Sequence, residues 1–324
     1  MKKALFALII AAALSHSACG NKSLTQALLT GSTDVPYAKL GVTIFPSNRN
    51  AGDLYSQMAD IKTLKFNWVR ATFWFDTQYM PYQGASANYS RFDETINSAA
   101  AAGLQVVPIL AYVPDWLRGN PNWKSVYIND YVIPVVRRYK GAVQYWEVWN
   151  EPDEMKYDAL NGSAEDYFDL LKQTSAAIKS IDPSAKVVAA ATANITADGM
   201  AKWEWTQKLI NMGLSSYAHV LNIHYYADLE IELSSSGGPM VTNAGMPVWV
   251  TETGYKGQGG QKSYFESNLA YIEKSIAPER IFWYCYVEGE GMNTQTNPDE
   301  TYGLVTYWGG YRYESPLYTH LKNR

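Results

Sequence analysis

The chain is poor in several residues that would have named a chemistry at once. It has two cysteines in 324 residues, Cys19 and Cys285, so no disulfide framework can carry the fold. Cys285 lies in an apolar run, where a free thiol behaves as a small hydrophobe. Four histidines are present. His219 and His224 lack the H-E-x-x-H spacing of a zinc helix, which argues against a metal site. Charged residues make up only 18%, below the usual quarter. The 27 basic and 31 acidic residues give a net charge of −4. No basic stripe is present, which excludes a nucleic-acid partner. No G-x-G-x-x-G occurs, so no dinucleotide or redox cofactor is indicated. Beyond the N-terminus no apolar run reaches the roughly 18 residues of a membrane span. No linker rich in Pro, Gly and Ser divides the chain.

The N-terminus is organised as an export signal. Lys2 and Lys3 precede an apolar run, Ala4 to Leu14, followed by Ser15, His16, Ser17, Ala18 and Cys19. The run is too short to span a bilayer and reads as a signal peptide over 1–18. The segment resembles a bacterial lipoprotein signal, with His16 where Leu is usual. That resemblance implies cleavage before Cys19, lipid on Cys19, and attachment to the cell envelope. The alternative is a soluble periplasmic or secreted product. Residues 19–36 read as a tether closed by Pro36, and 37–324 as one domain.

Within that domain apolar strands alternate with helical periods. Strands are expected at Lys39–Phe45, Asn67–Phe75, Leu104–Tyr112, Val143–Val148, Lys186–Ala191, His219–Tyr226, Pro247–Thr251 and Arg280–Val287. Helices are expected at Leu54–Lys65, Phe92–Ala102, Lys124–Tyr139, Ser163–Ile181, Lys202–Met212, Lys262–Ile276 and Leu317–Leu321. Pro134 must bend or split the third of these. Gly254 to Gly260 reads as a glycine-rich loop over a cleft, and Glu288 to Tyr311 as a long loop. Eight strand–helix repeats predict parallel strands with right-handed crossovers. The fold class is therefore α/β, a single (β/α)8 TIM barrel. A doubly wound sheet is the alternative, but it lacks its phosphate loop.

A barrel of this kind carries its chemistry at the C-terminal ends of its strands. Two glutamates stand there. Glu151 follows the aromatic strand Tyr145-Trp146-Glu147-Val148-Trp149-Asn150, and Pro152 stops the strand. Glu252 follows Val248-Trp249-Val250-Thr251, and Gly254 breaks that strand. Paired carboxyls at the ends of two strands, the fourth and the seventh, suit glycoside hydrolysis, in which one is held protonated and the other ionised. Arg70, Asn150, His224, Tyr226, Trp283 and Glu288 also fall at or near strand ends.

The motifs Trp149-Asn150-Glu151-Pro152 and Thr251-Glu252-Thr253-Gly254 resemble the large clan of retaining glycoside hydrolases built on this barrel. Family 39 is the most similar, with family 5 as competitor. The resemblance implies that Glu151 is the acid/base and Glu252 the nucleophile. It implies that Asn150 binds the sugar hydroxyl beside the reacting carbon and that Arg70 bonds the nucleophile. His224 and Tyr226 would border the site, and Trp283 would serve as a sugar platform, a role Tyr286 or Glu288 could share. Trp74, Trp116 and Trp149 either line sugar subsites or pack. The partner is then a polysaccharide or oligosaccharide, and a monomer is expected. A transglycosylase would use the same residues. A non-catalytic carbohydrate-binding barrel would keep the aromatics but lose a glutamate.

Overall fold

The computed structural model describes residues 35–47, 53–154, 159–193, 202–226, 233, 237–289 and 296–324. The signal segment, Cys19 and most of the tether lie outside the described residues. The strands are β1 (Leu40–Ile44), β2 (Trp68–Trp74), β3 (Gln105–Ala111), β4 (Tyr145–Val148), β5 (Lys186–Ala189), β6 (Leu221–His224), β7 (Val248–Thr253) and β8 (Arg280–Trp283). They pair in parallel in the order β5-β4-β3-β2-β1-β8-β7-β6. The two ends of that order meet. Val188 bridges Val220, and Ala189 N donates to Val220 O at 3.1 Å. The sheet thus closes into the expected barrel. Parallel strands covered on both faces read as near-continuous apolar runs, and every residue of β1, β4, β6 and β7 is buried.

Helices cover the outside: α1 (Leu54–Thr63), α2 (Ser90–Ala101), α3 (Trp123–Tyr139 in three segments), α4 (Ala164–Ile181), α5 (Lys202–Asn211), α6 (Gly238–Asn243), α7 (Gln258–Ile276) and α8 (Pro316–Lys322). Local chemistry sets their ends. Asp53 caps α1 by accepting from Ser56 N at 3.0 Å, and Ser163 caps α4 by accepting from Asp166 N at 3.1 Å. Pro134 is absorbed without a break. The stretch Tyr127–Val132 widens to a π-helix, and a new α-segment starts at Ile133 with the proline in its first turn.

Two loop expectations need correction. Gly259 and Gly260 belong to the first turn of α7, not to a loop over the cleft. The turn is made by Gly257 at φ 94°, and a Cβ on Gly260 would sit 2.3 Å from the Tyr255 ring. The second correction concerns Glu288 to Tyr311. That stretch carries strand β9 (Val305–Trp308), which forms an antiparallel hairpin with β10 (Tyr311–Glu314). Gly309 and Gly310 both have positive φ, 57° and 83°, as a two-residue hairpin turn requires.

The barrel interior is layered. At the N-terminal end Trp68, Tyr145, Trp249 and Phe282 pack with Val107, Val188 and Val220. The Tyr145 and Trp249 rings are 4.7 Å apart. This aromatic floor closes the bore and leaves the opposite end for polar groups.

Asp60 on α1 fastens the C-terminal region. It accepts from Tyr286 Oη at 2.7 Å, Tyr318 Oη at 2.7 Å and Arg312 Nη2 at 3.1 Å. Asp60→Ala leaves these donors without their acceptor, so we expect urea unfolding to show a loss of about 2–3 kcal/mol. An unchanged midpoint would mean that the hairpin and α8 are held by apolar packing alone.

Candidate active site

An open cleft of about 300 Å³ lies at the C-terminal end of the barrel. Thr43, Phe45, Arg70, Thr72, Trp74, Tyr112, Asn150, Glu151, Glu252, Tyr284 and Glu288 line it. On β2, alternation aims Trp68, Arg70, Thr72 and Trp74 into the bore. On β4, Glu147 faces inward and the strand then ends irregularly. Trp149 and Glu151 both take left-handed backbone, at φ 73° and 46°. Such conformations are costly for residues with side chains and cluster at functional sites. Here they turn the Trp149 ring out of the bore and bring Asn150 and Glu151 to the cleft.

Glu252 also depends on an irregularity. Trp249 and Thr251 face inward, since Trp249 joins the floor and Thr251 Oγ1 donates to Asn222 Oδ1 at 2.8 Å. Strict alternation would then send residue 252 outward. The register shifts between Val250 and Thr253 against β8, and between Ile223 and His224 against β6. A bulge of this kind re-aims a side chain. Glu252 points into the cleft, and Thr253 turns outward to meet Tyr264 Oη on α7 at 3.0 Å.

Arg70 holds the centre and is 1% exposed. Its Nε and Nη2 donate to Glu147 Oε2 and Oε1 at 2.7 and 2.9 Å. Nη2 also donates to Asn150 Oδ1 at 2.6 Å, and Nη1 to Glu252 Oε1 at 2.5 Å. Asn222 Nδ2 donates to Glu147 Oε1 at 3.1 Å. The second oxygen of Glu252 accepts from Tyr226 Oη at 2.7 Å. His224 Nδ1 lies 3.2 Å from Glu151 Oε1 and 3.6 Å from Glu252 Oε2. One oxygen of Glu151, one of Glu252 and a ring nitrogen of His224 all lie within 4.8 Å of one another. Asn150 Nδ2 donates to Tyr112 Oη at 3.0 Å. Glu288 Oε2 accepts from Thr301 Oγ1 at 2.9 Å and Tyr302 N at 2.8 Å.

The charges are tuned by these contacts. Burial disfavours ionised Glu252, but His224, Arg70 and the Tyr226 hydroxyl outweigh it and hold the carboxyl below its ordinary range. Burial would also neutralise His224, yet the Glu252 charge and the bond to Glu151 raise its pKa. Tyr226 is pushed well above its ordinary value, by burial and then by the Glu252 charge, so it remains a donor. Glu151, His224 and Glu252 would offer three ligand atoms to a cation. Both Glu252 oxygens already accept hydrogen bonds, however, and the Arg70 guanidinium already supplies positive charge beside them.

Seven of the expected residues therefore come together: Arg70, Asn150, Glu151, His224, Tyr226, Glu252 and Glu288. Trp74 borders the same cleft. Three tryptophans do not. Trp283 is 2% exposed and packs against Tyr264 and Phe265 of α7. Its neighbours Phe282 and Tyr284 take the inward positions. Trp149 packs against Trp123 and Tyr127 of α3. Trp116 packs on Phe75, and its Nε1 donates to Met80 O at 2.9 Å. The aromatic walls are instead Phe45, Trp74, Tyr112 and Tyr284. Alternation along β8 was the available signal for Tyr284, and position at the end of β3 was the signal for Tyr112.

A (β/α)8 barrel with paired carboxyls in a cleft at its C-terminal face defines a glycosidase class of site. Residues 59–302 match the family described as glycosyl hydrolase catalytic core, and the chain belongs to that family. No curated protein sequence matches the chain. Similar solved structures share the fold at low identity. A monomeric beta-xylosidase from Caulobacter crescentus CB15 has a TM-score of 0.69 and 17% identity, over 88% of this chain and 67% of that one. A family 39 glycoside hydrolase from the gut symbiont Bacteroides cellulosilyticus WH2 has a TM-score of 0.65 and 17% identity. That match covers 88% of this chain but 63% of the Bacteroides enzyme, so the chain spans less than two thirds of its length. A GH10 endoxylanase from a sugarcane soil metagenome has a TM-score of 0.62 and 15% identity, over 88% and 96%.

The buried pair sets a stability test. Arg70→Met strands Glu147 as an uncompensated buried charge and should cost about 3–5 kcal/mol in denaturant unfolding. The double change Arg70→Met with Glu147→Gln should recover part of that loss. Strict additivity would dissolve the coupling. A pH test follows from the shifts. The raised His224 contributes fully below about pH 6.5, and its contribution fades as pH climbs through the folded value. The lowered Glu252 contributes fully above about pH 4.5, and its contribution fades as pH drops through the folded value. The stability gap between wild type and Glu252→Gln should therefore be widest from about pH 4.5 to 6.5. A gap that is flat from pH 3 to 9 would contradict this pairing.

Proposed function

We propose that the protein is a retaining β-glycosidase in which Glu252 is the nucleophile and Glu151 the acid/base. The reading is carried by one observation: an oxygen of each carboxyl lies within 4.8 Å of the other in a single cleft. Double displacement calls for carboxyls about 5–5.5 Å apart, whereas an inverting site leaves about 6.5–9.5 Å for a water.

In the first step a Glu252 oxygen attacks the anomeric carbon, and the bond to the leaving oxygen breaks. Glu151 gives that oxygen its proton, so the leaving sugar departs as an alcohol. A glycosyl ester on Glu252 remains. In the second step Glu151 takes a proton from water. The resulting hydroxide attacks the same carbon and frees Glu252 as a carboxylate.

The contacts around Glu252 suit this cycle. Arg70 and Tyr226 each hold one of its oxygens, so the attacking group is ionised and oriented before substrate enters. Forming the ester quenches the Glu252 charge, and Glu151, having given up its proton in the same step, is ready to take one from water. His224 contacts both carboxyls and keeps them in register. Asn150, fixed by Arg70, presents its amide to the hydroxyl beside the reacting carbon. Aromatic walls at Trp74, Tyr112 and Tyr284 offer faces to the apolar side of a sugar ring.

The family 39 resemblance and the xylan-related names among the fold neighbours make β-xylosides the first substrates to try. The Lys2–Cys19 segment supports export, with Cys19 as a lipid attachment point in the cell envelope.

Glu151→Gln should slow hydrolysis of alkyl glycosides by roughly 10³-fold or more, and spare 4-nitrophenyl glycosides much more. A 2-deoxy-2-fluoro β-glycoside with a dinitrophenyl leaving group should leave a glycosyl adduct on Glu252, read by peptide mass. Products of inverted configuration by NMR would sink the scheme.

A further inference from the structure

The β9–β10 hairpin presents three aromatic side chains that neither the cleft nor the core uses. Trp308 is 45% exposed, Tyr311 71% and Tyr313 39%. The register pairs Tyr311 with Trp308 and Tyr313 with Thr306. Directly paired residues lie on one face of the sheet, and residues two apart share that face. Trp308, Tyr311 and Tyr313 therefore stand together on one side. Tyr307, Arg312 and Glu314 take the other, where Arg312 lies over the Tyr318 ring at 5.3 Å and bonds Asp60. Arg312 reaches back to the outer helices, and the Trp308, Tyr311 and Tyr313 rings on the other face stand exposed.

The hairpin is tied at its base to the segment that leads from β8 to the cleft. Val305 bridges Val287 in parallel just beyond β8, and Leu304 N and Val305 N donate to Cys285 O and Tyr286 O, both at 2.9 Å. β9 therefore runs on past the C-terminal end of β8. Glu288 lines the cleft and bonds Thr301 and Tyr302, and Tyr302 packs on Tyr284, another cleft residue, at 5.7 Å. Two residues, Gly303 and Leu304, separate Tyr302 from the start of the hairpin. The paired glycines fix the tip in one turn geometry.

We propose that Trp308, Tyr311 and Tyr313 form a carbohydrate-binding strip outside the catalytic cleft that holds a polysaccharide chain where it leaves the cleft. The inference rests on the glycosidase reading and adds to it that the natural substrate is a polymer. The chemistry selects a sugar chain. The strip has broad ring faces with polar tips and no charge of its own, and sugar rings offer apolar C–H faces edged by hydroxyls. Its attachment, through Tyr302 and Glu288, to a segment that lines the cleft argues for a substrate chain rather than a second copy of this protein.

The test uses full-length protein, soluble xylan and mixed-linkage β-glucan as polymers, and 4-nitrophenyl β-xyloside and β-glucoside as short substrates. In affinity electrophoresis, Glu252→Gln protein should be retarded by the polymer that wild type cleaves. Adding Trp308→Ala and Tyr311→Ala should weaken that retardation roughly tenfold, and Trp308→Phe should restore most of it. With Glu252 intact, the same double change should raise KM on the polymer by a similar factor while leaving kcat and aryl glycoside kinetics unchanged. Tyr217→Ala, before β6 at the opposite end of the barrel, should change nothing in these assays. Unaltered polymer binding and KM in the double variant would overturn the strip. Wild type that cleaves aryl glycosides but neither binds nor cleaves either polymer would overturn it too, and would leave the glycosidase reading standing. Wild type inert on every glycoside would remove both. A dimer in sedimentation that Trp308→Ala disperses, with polymer kinetics unmoved, would assign the face to a second copy and overturn the proposal.

Discussion

The arrangement depends on one guanidinium sealed inside the barrel. Arg70 is almost wholly buried, and a buried cation is tolerable only when paired and hydrogen-bonded. Glu147 grips it through two parallel bonds, which fixes the plane of the guanidinium as well as its position. With that plane fixed, Nη1 can point only at Glu252, and Nη2 also reaches Asn150. A lysine would bring the charge but not the fork. The side chain that orients the proposed nucleophile is thus itself oriented from below, by a carboxylate that Asn222 and Thr251 hold in turn.

The layer beneath explains why these bonds matter. Trp68, Tyr145, Trp249 and Phe282 close the bore under Arg70 and Glu147. Charges above an apolar floor interact more strongly than they would in water. The same floor makes any unpaired charge expensive, so the polar groups must arrive as a set. Counted that way, the Arg70 cation and the His224 ring face Glu147 and Glu252. The pKa directions of His224 and Glu252 agree with such a balance. The site therefore holds negative charge on Glu252 with donors that are already in place.

Much of this was legible in the sequence, and the failures have a common cause. Strand-end position was enough to gather Arg70, Asn150, Glu151, His224, Tyr226, Glu252 and Glu288. Parity along the strand would have done worse for the most important of them. Trp249 and Thr251 face inward, so simple alternation rejects Glu252, and only the bulge restores it. For the tryptophans the situation is reversed. Strand-end position favoured Trp283, whereas parity through Phe282 and Tyr284 would have turned it outward. Trp149 was lost to a left-handed backbone that no local composition announces. A tryptophan satisfies a core as readily as a cleft, so its residue type carries little information about facing. The Val305–Glu314 hairpin was legible in principle, because Gly309-Gly310 sits between alternating aromatic runs. The eight-strand repeat does not call for it, because the ribbon forms a separate two-stranded sheet outside the barrel.

These two kinds of residue divide the work of the site. Groups placed by strands, such as Arg70, Glu147 and Glu252, are locked by register and by one another, and little room exists to vary them. Groups placed by connections, such as Tyr284, Tyr302, Glu288 and the hairpin, are anchored at a few points and carry the shape of the opening. Glu288 joins the two sets: it borders the cleft, yet both of its bonds reach forward to the segment that leads into the hairpin. Under the glycosidase proposal, the bond-breaking centre would rest on the first set and the shape of the opening on the second.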